Sequence, residues 1–156
     1  MKLKYILGIL LVLIAATACV YAADATIDDD YTFTLPDKYT VSEQVEDGIY
    51  LQIDEDHIIS IKLYKGTGIT DEMISMVTSN LESQGYNVTG NQTINYNGTD
   101  IVEIAYKNEA GQFYSYTWQV DDDEYAVASY GCPLNETSVG WEKGPVKTIY
   151  DSFAET

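Results

Sequence analysis

The hydrophobic pattern of this chain changes twice along its length. From Tyr5 to Ala23 the residues are uncharged, rich in Leu and Ile and without any period, behind Lys2 and Lys4. A short positive segment, an apolar stretch and the run Val20-Tyr21-Ala22 form the pattern of a secretory signal, with cleavage before Ala23. Two other fates fit the same residues. The run Ala16-Thr17-Ala18-Cys19 resembles a lipoprotein box in which Cys19 would be acylated, with Ala16 where Leu is usual. Left uncleaved, the segment has about the length that crosses a bilayer. Residues 1–22 are therefore read as a signal peptide or membrane anchor, and residues 23–30, small and acidic, as a tether.

From Tyr31 the pattern alternates. Tyr31–Leu35, Tyr39–Val45, Ile49–Ile53 and Ile58–Tyr64 are predicted strands, punctuated by Pro36-Asp37, Glu46-Asp47-Gly48 and Asp54-Glu55-Asp56-His57. The period then becomes helical. Met73, Ile74, Val77 and Leu81 make one apolar stripe over a predicted helix at 71–83, with Thr70 or Asp71 as cap and Gly85 as the stop. A strand pattern returns in Thr93–Tyr96 and Thr99–Tyr106 around Asn97-Gly98, a dipeptide that favours a tight hairpin because both positions tolerate φ > 0. Phe113–Val120 puts Tyr114, Tyr116, Trp118 and Val120 on one face, and Tyr125–Tyr130 is the last predicted strand. Beyond a loop, Pro145 opens a closing helix whose Val146, Ile149, Tyr150 and Phe153 share a side. The predicted class is α+β: one domain over 31–156, an antiparallel sheet of about six to eight strands with two helices packed on it.

An opening strand Phe33-x-Leu35-Pro36, a middle helix, a strand pair joined at Asn97-Gly98 and a closing Ile149-Tyr150-Asp151-Ser152-Phe153 resemble the PsbP/Mog1/DcrB-like superfamily of small α/β/α sandwich domains. The resemblance spans about Tyr31 to Phe153. It implies a non-enzymatic accessory or interaction domain with no shared catalytic residues, so no functional residue carries over.

Charge narrows the range of partners. The net charge is −17, and all eight basic residues are lysine. Such a surface repels phosphate backbones and anionic lipid, which argues against nucleic acid and leaves membrane contact to the leader. It suits cations or a basic partner. Cys132 is the only cysteine beyond the leader, so no disulfide framework is available; beside Pro133 it reads as a small buried residue rather than a nucleophile.

Candidate chemistry is sparse. The acidic turns Asp28-Asp29-Asp30, Asp54-Glu55-Asp56 and Asp121-Asp122-Asp123-Glu124 could offer oxygens to calcium at about millimolar affinity, with Asp54, Asp56, Asp121 and Asp123 as the candidate ligands. Asp is also a favoured turn residue for its own backbone bonding. His57 stands alone, without the cluster that zinc or triad chemistry needs. No cofactor motif is present. Asn87, Asn91, Asn97 and Asn135 each begin an Asn-x-Thr glycosylation acceptor, against about one expected from composition. Tyr114, Tyr116 and Trp118 either stack on sugar or fill the core. The leading expectation is a secreted or surface-tethered interaction domain with an envelope or extracellular partner. The alternatives are a sugar- or calcium-binding module and a small secreted hydrolase using a carboxylate pair.

Overall fold

The computed structural model describes residues 23–66 and 69–156; the leader, with Cys19, lies outside them. Its elements run β1 (Asp24–Ile27), β2 (Tyr31–Thr34), β3 (Thr40–Val45), β4 (Gly48–Asp54), β5 (His57–Lys65), α1 (Asp71–Ser83), β6 (Asn87–Tyr96), β7 (Thr99–Lys107), β8 (Gln112–Asp121), β9 (Glu124–Cys132), α2 (Val146–Ser152) and β10 (Ala154–Glu155). Seven strands form one antiparallel sheet in the order β3-β4-β5-β9-β8-β7-β6, and β1-β2-β10 form a second, smaller one. The fold is α+β, with the predicted helices present.

One expectation is corrected. Residues 24–27, read as part of a tether, are strand β1, paired from Asp24↔Thr34 to Ile27↔Tyr31. Their polar composition hides a half-buried alternation: Ala25 and Ile27 point into the core, Ile27 with no exposed surface. The chain end joins from the other side, with β10 on β2 and the Thr156 amide bonded to the Asp30 carbonyl at 2.8 Å.

The two faces of the large sheet are unequal. Registers through β4, β5, β9 and β8 align Ile49, Leu51, Ile59, Ile61, Ala126, Ala128, Tyr116 and Trp118 on one face. All are buried in one cluster with Ile27 and Phe33 of the small sheet and Val146 and Ile149 of α2. Pro145 caps α2 at φ −75, a value the ring enforces. Ser152 Oγ accepts from the Thr34 amide at 2.9 Å, tying α2 to β2.

The opposite face carries α1, which packs against β6. Thr70 Oγ1 accepts from the Met73 amide at 3.2 Å, and Asp71 and Glu72 occupy the positive first turn. The helix ends where Gly85 takes φ +89 and the amides of Gly85 and Tyr86 reach back to the Glu82 and Leu81 carbonyls. No residue of α1 is buried, and Met76 is 66% exposed.

Candidate functional site

The sheet separates the acidic turns that the sequence offers. Asp54 and Asp56 lie in the β4–β5 turn, whereas Asp121 and Asp123 lie in the β8–β9 turn at the other end of the strands. No ion could bridge the two sets. Among the described residues no three His, Cys, Asp or Glu side chains converge as metal ligands.

In the β4–β5 turn, Asp54 Oδ1 accepts from the Asp56 amide at 2.9 Å and the His57 amide at 3.0 Å, and meets His57 Nδ1 at 2.8 Å. These bonds, the His57 ring first, hold the Asp54 carboxyl below its ordinary range. His57 Nε2 stands 4.0 Å from Glu136 Oε2. Glu136 is itself held low by the amides of Ser138 and Thr137. Cys132 is close by, but burial and the Glu136 charge push its thiol up to about 11, the opposite of an activated nucleophile. The cluster therefore orders a turn, while burial first and the Glu136 charge second disfavour the thiolate of Cys132.

The other end of the sheet holds a groove of about 430 Å³. Tyr31, Trp118, Tyr150 and Phe153 form its wall, and Asp121, Asp151 and Glu155 stand at its rim beside Asn97. The wall is built from ring contacts: Tyr31 stacks on Phe153 at 5.2 Å, and Trp118 meets Tyr150 and Phe153 edge-on at 5.4 and 5.7 Å. Tyr31 is anchored by Glu124, which also binds Lys65 Nζ at 2.8 Å. Burial, then that carboxylate, pushes the Tyr31 phenol up to about 12. At one side Lys147 Nζ donates to the Tyr96 hydroxyl at 2.7 Å and to Asp151 Oδ2 at 3.2 Å, 4.5 Å from the centre of the Tyr96 ring. An ammonium at the hydroxyl end of an aromatic ring and beside a carboxylate is thus already part of this surface.

The aromatic strand face, open between sugar stacking and core in the sequence, is decided here. Tyr116 and Trp118 are 0% and 2% exposed, so the aromatic strand face fills the core and forms no flat sugar platform. The groove itself has no sequence signature, because its wall joins Tyr31, Trp118 and Phe153 from distant parts of the chain. Its one available clue is Phe153 continuing the α2 stripe past the helix end.

Glu103 is a second residue of note, marked in the sequence by a charge inside Ile101-Val102-Glu103-Ile104. It is buried on the core face, where Oε1 accepts from Gln92 Nε2 at 2.8 Å. Oε2 and the Tyr116 hydroxyl face each other without a well-aligned hydrogen bond, and the Trp141 Nε1 also lacks one. Burial and Glu103 push the Tyr116 phenol well above its ordinary value.

Of the glycosylation acceptors, Asn87 and Asn91 lie on β6, Asn97 is in the β6–β7 turn at φ 52, and Asn135 is in the loop after β9; all four are exposed.

No protein family model matches the sequence, and no curated protein does. Solved structures do. The solution structure of cyanobacterial PsbP from Synechocystis sp. PCC 6803 superposes with a TM-score of 0.58 at 15% identity, over 92% of this chain and 99% of that one. A crystal structure from Bacteroides thetaiotaomicron gives 0.54 at 10% identity, over 85% of this chain and 48% of that one. The chain has a PsbP-like fold.

Proposed function

We propose that this protein is an exported, non-enzymatic binding domain whose groove at the β8–β9 end takes a lysine- or arginine-bearing segment of a partner protein. One observation carries the reading: the half-buried rings of Tyr150 and Phe153, backed by buried Tyr31 and Trp118, under an exposed rim of Asp121, Asp151 and Glu155. Aromatic faces attract cations, and rim carboxylates add charge where the groove opens to solvent. The long-range field points the same way, since a net charge of −17 concentrates cationic partners at the surface. The Lys2–Ala22 leader supports a place outside the cytoplasm. The fold neighbours support an accessory scaffold only through shape, because function resides in sites and not in folds.

The test is titration of lysine-rich and glutamate-rich peptides against the indole fluorescence of Trp118 and Trp141. The basic peptide binds, and affinity falls as salt rises. Asp121→Asn combined with Glu155→Gln weakens it by about three- to tenfold, as two exposed charge contacts would. Equal binding of both peptides, or an unchanged affinity in the double variant, overturns the reading.

A further inference from the structure

The small sheet has an open edge at the groove. Its order is β1-β2-β10, and among the described residues no strand pairs with β10 on the side away from β2. Ala154 and Glu155 of β10 are both exposed, and both line the groove beside Phe153.

Register decides which backbone groups of β10 are free. Ala154 lies opposite Thr32, and Glu155 opposite Tyr31. The Thr156 amide donates to the Asp30 carbonyl at 2.8 Å, which makes those two residues a hydrogen-bonded pair. Such pairs alternate along antiparallel strands, so Ala154 and Thr32 form the next one. Between them, Glu155 turns its amide and carbonyl away from β2. Strand β2 gives the same parity from its other side. The Leu35 amide donates to the Ala23 carbonyl, so Phe33 and Tyr31 bond to β1 and leave Thr32 to β10. The same register sets side-chain directions. Residues directly opposite share a face, as do residues two apart, so Glu155, Tyr31 and Phe153 project to one side. The Tyr31 ring stacked on Phe153 at 5.2 Å agrees with this.

We infer that the basic segment proposed above binds as an extended strand on β10, with one lysine or arginine paired to Glu155. The inference rests on that reading of the groove and adds the segment's conformation and the position of its cation. The paired residue exchanges both backbone hydrogen bonds with Glu155. Its side chain then lies on the face of Glu155 and Phe153, over the half-buried rings and beside the rim carboxylates. Its two neighbours point to the opposite face and can be of any polar kind. Main-chain bonds thus supply affinity, while Asp121, Asp151 and Glu155 at the rim select a cationic strand over a neutral or acidic one.

NMR titration of the protein with a short peptide of serine and threonine around one central lysine tests this. At saturation the Glu155 amide exchanges its hydrogen about tenfold more slowly. A backbone N-methyl group on the central lysine keeps the charge and weakens binding about tenfold, whereas one on either neighbouring residue changes it by less than about twofold. Glu155→Pro removes the outward amide and no bond to β2, so it binds more weakly than Glu155→Gln, which loses the charge alone. An unprotected Glu155 amide in the complex, a flat methylation scan, or equal affinities of the two variants would each overturn the strand pairing and leave the groove reading standing. Binding of a lysine-rich peptide but not of the single-lysine one would do the same. Failure of both peptides to bind would overturn the groove reading and this inference together.

Discussion

The two faces of the seven-stranded sheet are made from the same kinds of strand and end up in different states. The face under α2 and the small sheet buries Phe33, Trp118, Tyr116 and Ile149 in one continuous cluster. The face under α1 buries Val102 and Ile104 but no residue of the helix itself. On that side, much of the packing is a local knot: Tyr86 meets Tyr106 and Phe113 edge-on at 5.3 and 5.6 Å. Gly131 lies beneath the Phe113 ring, where a Cβ would come within 2.8 Å of it. The difference teaches that an amphipathic stripe makes a helix but does not decide how deeply it packs. α2, seven residues long, buries two of them, and α1, nearly twice as long, buries none.

The largest expected effect tests that contrast directly. Phe33→Ala leaves a cavity under the small sheet and costs about 3–5 kcal/mol in urea unfolding. Ile74→Ala on the half-buried side of α1 costs about 1 kcal/mol, because its surroundings are already open. Equal losses would erase the distinction between the faces.

A second, smaller effect comes from pH. The phenols of Tyr31 and Tyr39 are both pushed up to about 12, each mainly by burial. Tyr114, Tyr116 and Tyr130 are raised on the same side, and Tyr106 on the other. Above pH 10 an unfolded chain loses phenolic protons that the folded chain keeps, so it binds fewer protons and stability falls with pH. The contribution is complete below about pH 10 and is lost as pH rises toward 12. Urea midpoints across this window show the decline, and Tyr39→Phe flattens it more than Tyr106→Phe does; the reverse order would break the comparison.

The smallest effect sharpens the core face itself. Tyr116→Phe removes a buried hydroxyl with no aligned partner and leaves stability unchanged or higher by about 1 kcal/mol. A loss larger than that in thermal melts would show that the hydroxyl is firmly bonded to Glu103.

Local signals were legible where neighbours in the chain decide the geometry. The stripe and caps of α1 gave its span, and Asn97-Gly98 gave the hairpin. Strand β6 was seen only from Thr93 onward, because an edge strand of Asn, Thr and Gln shows no buried alternation to read. The acidic turns were visible, but their placement at opposite ends of the sheet was not. The groove was invisible, since Tyr31, Trp118 and Phe153 meet only after two sheets and a helix have packed.

The sequence by itself determined an acidic α+β domain behind an apolar N-terminal stretch, with its principal helix, most of its strands and its tightest turn. Those follow from periodicity and from residues that tolerate a particular φ, which act over a few positions. Tertiary structure alone turned residues 24–27 into a strand, sank Glu103 beside Tyr116 and raised carboxylates around an aromatic wall. Each depends on which distant surfaces exclude water together, and that is a property of the packed chain rather than of any segment within it.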